Sequence, residues 1–336
     1  MRDARLDVGP HASDRYGVQR SAPPWVVQLR IAVATAGGFL APILYPPTKA
    51  LLLLFVVSYL VRMWATETVY HRYFSHRAFQ AGRFVQCVLA LLGTQNGQRG
   101  PLWWAAKHRV HHRNTESPDD PHSPQSRSFH YAFLTWLWDR RNSDTHLDAI
   151  PDYARFPELR WINKYYAVPF YGGAALLVVA GHLGWLGPAI DGGEALLWGF
   201  FLPVTAVLAG VALVNSTCHM PQLPGGFRRY ATSDRSVNRP LLALLTLGGG
   251  WHNNHHRYAA PARAGFAWWE IDLAYYVLRA LESLGVVRKV KGTLPDEVCG
   301  KADSSLRADP MARRIRVTDC IDARASVHPI YGVTSR

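Results

Sequence analysis

Nine of the 15 histidines in this 336-residue chain fall into four short groups. Together with one asparagine, they occupy residues His71–His76, His108–His112, Asn215–His219 and His252–His256. The second and fourth groups share the spacing HxxHH, and on a helix the positions i, i+3 and i+4 share one face. Each HxxHH group is therefore able to direct three imidazoles at one point. The HxxxxH spacing of the first group fits a single face less well, so we expect it at a helix end where the chain bends.

This concentration of imidazoles indicates a metal centre. Crowded protonated histidines would repel one another, whereas neutral imidazoles are able to share a metal cation. Imidazole suits iron, copper, zinc and nickel. A single zinc takes four ligands, so nine histidines and Asn215 predict two ions. The remaining histidines are expected to have structural roles, and they are His11, His122, His130, His146, His182 and His328.

Four apolar segments are candidates to carry these groups. They cover about residues 25–45, 50–70, 166–186 and 195–218. The length of each segment is close to the ~20 residues that cross a bilayer. The second is uninterrupted only from Ala50 to Val61, so a re-entrant hairpin is an alternative for it. His71 directly follows the second segment and His219 ends the fourth. The predicted fold is an all-α integral membrane protein, with four transmembrane helices and a cytoplasmic helical cap that holds a His-rich dimetal site.

Charge and composition favour a membrane protein. Charged residues make up 18% of the chain and hydrophobic residues 49%, whereas soluble domains have about 25% charged residues. The net charge of +13 lies mainly in residues 1–24, in residues 71–164 and after Cys218. The positive-inside rule then places both termini and the cap in the cytoplasm, and nucleic-acid binding is not expected. The four scattered cysteines exclude a disulfide scaffold and a thiolate zinc module.

The chain divides into three parts on this basis. Residues 1–24 are a polar cytoplasmic segment, and residues 25–290 hold the spans and the histidine groups. Residues 291–336 are rich in Arg, Asp and Ser and lack periodicity, which predicts a disordered cytoplasmic tail. We expect a multi-pass membrane protein, located in the inner membrane if the source is a bacterium.

In the order HxxxxH, HxxHH, NxxxH and HxxHH over four spans, the sequence resembles the membrane fatty acyl-CoA desaturases, the stearoyl-CoA desaturase group and its bacterial branch. The resemblance covers roughly residues 45–290. Alkane hydroxylases and acyl-lipid desaturases usually have HxxxH as the first box, so the extra residue favours the acyl-CoA type. The other matching segments are GPLWWAAKHRVHHRNTE, DDPHSP, YARFPELRWINKYY, RRYATSDRSVN, LLALLTLGGGWHNNHH and WWEIDLAYYVLRALESLGVV.

The resemblance implies an O2-dependent desaturase that inserts a cis double bond, by family expectation at position 9, into a long saturated acyl-CoA. It also implies two non-haem irons, with Asn215 acting on one of them through a water. The histidines that would hold the irons are His71, His76, His108, His111, His112, His219, His252, His255 and His256. Relatives usually carry Gly-Glu-Gly before the last box, where this chain has Gly248-Gly249-Gly250. If that glutamate orients a ligand, its loss is expected to weaken metal binding or activity.

Several residues are candidates to contact the substrate. Phe55 and Tyr59 precede His71 by 16 and 12 residues, roughly 18–24 Å along a helix, and are candidate chain-length stops. The alternative for both is a packing or lipid-facing role. Trp104 is a candidate to line the acyl path. Four basic residues are candidates to meet CoA phosphates or, alternatively, to set topology or contact anionic lipid, namely Arg99, Lys107, Arg228 and Arg229.

Electrons are expected to come from a separate protein. The sequence has no haem-binding HPGG motif, no four-cysteine iron–sulfur pattern and no Gly-rich dinucleotide loop. A ferredoxin or a b-type cytochrome with its reductase is therefore the expected partner, and the basic face suits an acidic donor. The alternatives are an acyl-lipid desaturase or other His-box hydroxylase, an inactive relative, or, in a different class, a haem- or metal-binding membrane protein without oxygenase activity.

Overall fold

The computed structural model describes residues 16–292, and every structural statement below concerns that part of the chain. The predicted tail lies outside it from residue 293, as do residues 1–15 of the predicted N-terminal segment. The fold is mostly helical, as the sequence predicted. In chain order the α-helices are α1 Pro24–Leu44, α2 Lys49–Trp64, α3 Arg83–Thr94, α4 Pro101–Asn114, α5 Phe129–Phe133, α6 Arg140–Ser143, α7 Pro151–Ala154, α8 Pro157–Lys164, α9 Ala167–His182, α10 Gly192–Leu196, α11 Leu202–Thr217, α12 Pro240–Leu245, α13 His252–Arg257 and α14 Leu273–Ser283.

Two long helices contain π-helical segments. Residues Ala65–Ser75 continue α2 in π-helical form, so that one helix runs from Lys49 to Ser75. Residues Leu197–Phe201 likewise join α10 to α11 in one helix from Gly192 to Thr217. Because the 49–75 helix is continuous, the chain does not turn back within it, and the alternative of a re-entrant hairpin is wrong.

Three helices are long and apolar enough to cross a membrane, namely α1, the 49–75 helix and the 192–217 helix. The remaining predicted span, residues 166–186, corresponds to α9, which has 16 residues and is about 24 Å long. It ends early because Gly184 adopts a positive φ of 71° and the amide of Trp185 donates back to the carbonyl of Ala180.

Local sequence signals account for where the long helices begin. Thr48 caps α2 by accepting a hydrogen bond from the amide of Leu51. Asp191 and Glu194 form a reciprocal capping box at the start of α10. Both caps precede a run of apolar residues, so each long helix begins at a polar residue that satisfies its free amides.

The outer faces of the long helices expose large apolar side chains, whereas the 192–217 helix is the most enclosed and packs against α1 and α2. An exposed apolar surface of this extent fits contact with lipid. Representative exposed residues are Leu29, Phe39 and Ile43 on α1, Leu53, Val57 and Leu60 on α2, and Val168 and Leu176 on α9.

Two pairs of short antiparallel strands attach the flanks of the described chain to the region that carries the histidines. Strand β1, Val18–Gln19, pairs with β3, Thr145–His146. Strand β2, Gln80–Ala81, pairs with β4, Val287–Arg288. Residues 16–21 and 286–291 therefore lie on the same side of the long helices as the histidine groups.

Candidate metal centre

The nine histidines of the four sequence groups lie together in two clusters. The five-histidine group consists of His71, His76, His108, His112 and His255. The four-histidine group consists of His111, His219, His252 and His256. Within each group the potential ligand nitrogens are within 4.8 Å of one another, and the groups adjoin where two imidazole centroids are 4.7 Å apart. Each HxxHH helix contributes to both groups.

The spacing of the Nε2 atoms tests whether these residues fit metal ions. The Nε2 atoms of His71 and His255 are 2.9 Å apart, and those of His76 and His108 are 2.8 Å apart. In the four-histidine group, the Nε2 atoms of His219 and His252 are 3.0 Å apart. Two imidazole nitrogens bound at about 2.1 Å to one ion, at right angles, would lie about 3.0 Å apart. The donor sets therefore fit two ions of this size.

Four of the histidines direct Nδ1 at a carboxylate. A histidine that donates Nδ1–H to a carboxylate presents the lone pair of Nε2 on its other side. These lone pairs all face into the groups, so they need a cation between them. The pairs are His71 with Glu67 at 3.1 Å, His111 with Asp120 at 3.0 Å, His219 with Glu116 at 3.1 Å, and His256 with Asp234 at 2.7 Å.

Burial favours the neutral form of six of these imidazoles. It lowers the pKa of His256 to about 4, although the hydrogen bond to Asp234 opposes this shift. Burial, and then the proximity of other charged groups, lowers the pKa of five more histidines well below the usual value, namely His76, His108, His112, His252 and His255. Neutral imidazoles are the form that binds metal, so the site does not have to lose these protons at neutral pH.

The π-helical segment explains the five-residue spacing of the first box. A π-helix closes i→i+5 hydrogen bonds, and the amide of His76 donates to the carbonyl of His71 at 3.2 Å. Their ring centroids are 5.0 Å apart. His76 does end the helix, and Arg77 follows with a φ of 52°. The wider π turn, which was not predicted, places both side chains on one side.

The short helix α13 depends on the two asparagines between its histidines. The side-chain oxygen of Asn253 accepts from the amides of Arg229 and Tyr230. Asn254 donates to the carboxylate of Glu270 and receives a hydrogen bond from Asn238. A helix of six residues is too short to be stable alone. These buried contacts therefore hold the last box in place.

A small chamber adjoins the five-histidine group. The indole of Trp104 stacks on His108 with ring centroids 4.8 Å apart and donates to the side chain of Gln98. Asn215, near the end of α11, lines the same chamber. The residues that line the chamber are Trp104, Lys107, His108, His122, Trp136 and Asn215.

The two predicted chain-length stops lie in the 49–75 helix, far from the chamber in sequence. The rings of Phe55 and Tyr59 stack with centroids 6.0 Å apart, and both are half-buried. The hydroxyl of Tyr59 donates to the carbonyl of Leu245 at 2.7 Å. Tyr59 therefore also connects the helix to the segment that leads to the last box.

The basic residues proposed as phosphate contacts have partners within the fold. Arg99 is 1% exposed and donates to Ser21 and to the carbonyls of Leu137 and Ser143. Arg229 is 4% exposed and forms an ion pair with Glu270 at 2.7 Å. Buried guanidinium groups with these contacts are not accessible to a substrate phosphate.

The other two basic candidates are also engaged. Arg228 is half-buried and donates to Thr232 and to the carbonyl of Asp234. Lys107 is 7% exposed, and its Nζ lies 3.4 Å from the carbonyl of Arg141. The sequence showed positive charge at these positions, but whether a side chain reaches solvent depends on contacts distant along the chain.

Sequence reasoning missed the carboxylates that support the histidines. Asp120, Asp234 and Glu116 all lie in segments noted above for their resemblance to the desaturases, which was the available signal. His122, expected to be structural, stacks on His111 with centroids 4.3 Å apart and shares a buried cluster with Asp120. Nothing in the local spacing of these residues pointed to the metal groups.

Comparisons with known proteins agree with this arrangement. The family model for fatty acid desaturases matches residues 47–289. The chain is 34% identical over 234 residues to the sn-2 palmitoyl-lipid 9-desaturase of Nostoc sp. (strain 36), covering 67% of this chain and 76% of that protein. It is also 34% identical over 241 residues to the acyl-CoA 5-desaturase AL21 of Anemone leveillei, covering 70% and 69%.

A third relative is the sn-1 stearoyl-lipid 9-desaturase of Anabaena variabilis, 34% identical over 225 residues, which are 66% of this chain and 76% of that protein. Acyl-lipid and acyl-CoA enzymes are thus similar to the chain to the same degree, and sequence identity does not select the carrier. The matched residues include all nine clustered histidines. The chain belongs to the fatty acid desaturase family, and its enzymes are oxidoreductases that act on fatty acyl chains.

Proposed function

We propose that the protein is an O2-dependent acyl-CoA desaturase that introduces a cis double bond at position 9 of a long saturated acyl chain. The observation that carries this proposal is the meeting of nine imidazoles in two adjoining groups at the ends of apolar helices. Ordinary acid–base side chains are not reactive enough to remove hydrogen from an unactivated CH2–CH2 pair. A buried dimetal centre beside a membrane supplies what that reaction needs.

In this proposal the five-histidine and four-histidine groups each hold one iron, and Asn215 acts on one of them through a water. When bound, the two irons supply the chemistry that couples O2 and two electrons to hydrogen removal. The chain's own residues hold and orient the imidazoles. Glu67, Asp120, Glu116 and Asp234 keep the proton of their partner histidines on Nδ1, so that Nε2 is free to bind.

The acyl chain is proposed to run from the chamber at Trp104 toward Phe55 and Tyr59. Each buried CH2 contributes about 0.8 kcal/mol, so an apolar path supplies ample binding energy. Trp104 would exclude water and keep neighbouring methylenes in register while one of them sits beside the metals. In the same scheme the stacked rings of Phe55 and Tyr59 set the depth that the methyl end reaches.

An acyl-lipid carrier is the second candidate. The HxxxxH spacing favours acyl-CoA, whereas two of the relatives reported above act on palmitoyl or stearoyl groups of lipids by their names. In addition, the buried arginines Arg99 and Arg229 are not available to CoA phosphates. Assays with the two carriers therefore decide between them.

The electron donor is proposed to be a separate ferredoxin or b-type cytochrome with its reductase. His112 and His256, one from each group, line a polar surface cavity of about 380 Å³. The exposed Arg113 and Arg257 lie at its rim. A cationic rim beside the ligands of both groups suits an acidic donor.

The proposed topology has four crossings, with α9 as the short one and with both termini and the histidines in the cytoplasm. The basic residues on that side follow the positive-inside rule. In a bacterium this corresponds to the inner membrane. The helices α3 and α14, which expose Phe84, Val88, Tyr276 and Val277, would lie in the interface with lipid headgroups.

Expression in a host that lacks unsaturated fatty acids tests the function. We expect fatty-acid analysis to show a new cis-9 monounsaturated product that requires O2, and the variant His111→Ala to yield none. Purified protein given either stearoyl-CoA or stearoyl phospholipid, with a ferredoxin and its reductase, then identifies the carrier. Hydroxylated acyl chains, or no O2-dependent product from iron-loaded protein, would contradict the proposal.

A further inference from the structure

We propose that Glu67 is a positioning residue for the metal centre, whose carboxylate orients His71 and fills the space that Gly249 leaves open. This inference rests on the proposed metal centre. It concerns a residue on the π-helical part of the 49–75 helix, one turn before the first histidine of the site.

The contact between Glu67 and His71 is direct. Oε2 of Glu67 lies 3.1 Å from Nδ1 of His71, and Nε2 of His71 lies 2.9 Å from Nε2 of His255 in the five-histidine group. A proton held on Nδ1 by the carboxylate leaves the Nε2 lone pair for a metal ion. Glu67 therefore selects the tautomer of His71 that binds metal.

The other oxygen of Glu67 lies over Gly249. A Cβ atom placed on Gly249 would be 2.3 Å from Oε1 of Glu67 and 3.0 Å from the hydroxyl of Thr246. Any side chain at position 249 would thus collide with the carboxylate. The close approach, and not the backbone angle, favours glycine here, because the positive φ values in this loop belong to Leu247 and Gly248.

The charge of Glu67 points to a cation nearby. Glu67 is 6% exposed, and among residues 16–292 its only ion-pair partner is the imidazole of His71. Arg62, on the same helix, does not pair with Glu67. The guanidinium of Arg62 donates to Ser58 and lies over the ring of Phe200. Nearby groups have to compensate the charge of a buried carboxylate, and a metal ion bound by His71 would do so.

The sequence predicts that Gly249 weakens the site through the loss of a carboxylate. The structure places a carboxylate in the same space from another element, since Glu67 and Gly249 are far apart in sequence but adjacent in the fold. A glutamate at either position, with a small residue at the other, should therefore support His71. This interchange is the specific content of the proposal.

Cobalt(II) binding to metal-free protein in detergent tests the role without the reaction. We expect wild type to bind two cobalt ions. In Glu67→Ala the affinity of one of the two sites should fall by about 10–100-fold, with a changed visible spectrum. Glu67→Gln retains a hydrogen-bond acceptor and should lose less. The double variant Glu67→Ala/Gly249→Glu should regain most of the lost affinity and the wild-type spectrum, which a merely structural role would not predict.

Glu158→Gln is the matched control, because Glu158 forms an exposed ion pair with Arg83 away from the histidines, and its cobalt binding should equal that of wild type. Wild-type affinity and spectrum in Glu67→Ala would overturn the proposal, as would a double variant no better than Glu67→Ala. Failure of the proposed function is a separate result, namely a protein that binds two cobalt ions normally but, with iron, forms no unsaturated product.

Discussion

At the scale of single residues, each supporting carboxylate is largely buried and accepts a hydrogen bond from a histidine. Burial opposes the ionisation of Asp120 and Asp234, yet the adjacent His111 and His256 hold the pKa of both carboxyl groups below the usual range. Both therefore remain ionised at neutral pH. Their negative charge lies next to the imidazoles of His111 and His256, an arrangement that a bound cation stabilises.

Asp234→Asn should impair iron retention although it replaces only one carboxylate oxygen with an NH2 group. Oδ1 of Asp234 accepts from Ser236 and Thr232, so an asparagine oxygen would take that place and its NH2 would face Nδ1 of His256. His256 would then carry its proton on Nε2 and could not bind metal. We expect iron affinity to fall by about 10–100-fold, measured as iron per protein after dialysis against a graded chelator.

The control for this variant is Asp119→Asn, since Asp119 is exposed and bonds no histidine among the described residues. Its iron content should equal that of wild type. Equal retention of iron by Asp234→Asn and Asp119→Asn would show that the carboxylate does not set the tautomer of His256.

At the scale of elements, the site depends on how the π-helical segment packs. Helix α3 approaches it at Gly93, where an added Cβ would lie 2.3 Å from the ring of Tyr70. Tyr70 is fully buried beside His71, and its hydroxyl donates to the carbonyl of Arg99. The glycine therefore permits the close contact that sets the position of the first box.

Gly93→Ala should destabilise the protein by about 1–3 kcal/mol, because the ring of Tyr70 is enclosed and has no free space to enter. The measurement is the midpoint of thermal unfolding in detergent, which should fall by several degrees together with iron content. Gly82→Ala is the matched control at the other end of α3, where an added Cβ meets nothing within 4 Å. A midpoint unchanged by Gly93→Ala would contradict this account of the contact.

At the scale of the whole molecule, the polar cavities show where an electron donor would approach the histidine groups. The long helices expose apolar faces, whereas the polar cavity at His112 and His256 opens on the histidine side. A second polar cavity reaches only one histidine, His76, and has Arg77 among its lining residues. The first cavity is lined by histidines of both groups, and it is therefore the entry point that we propose for electrons.

Charge reversal at the rim tests this choice. The double variant Arg113→Glu/Arg257→Glu should raise the KM for an acidic plant-type ferredoxin several-fold and reduce its dependence on salt, while kcat at saturating donor changes little. Arg77→Glu, at the other cavity, is the control and should leave the KM for ferredoxin near that of wild type. The reverse pattern would place the donor at the second cavity.

Local features of this protein could be read from the amino-acid sequence alone. The HxxHH spacings follow the period of a helix, and the apolar runs follow the thickness of a bilayer, so both could be predicted without tertiary contacts. The length of α9 and the π-helical turn at His71 could not, because each results from a few backbone hydrogen bonds that composition does not report. The resemblance to the desaturases then indicated the chemistry.

The pairing of side chains that are distant in sequence depends on the packing of the whole fold. Asp234 lies 22 residues from His256, and Glu116 lies 103 residues from His219, so no local pattern connects these pairs. The same holds for Glu67 over Gly249, and for Arg99, whose charge is buried by partners from distant segments. Contact energies act between neighbours in space, and the packing of the helices determines which residues become neighbours.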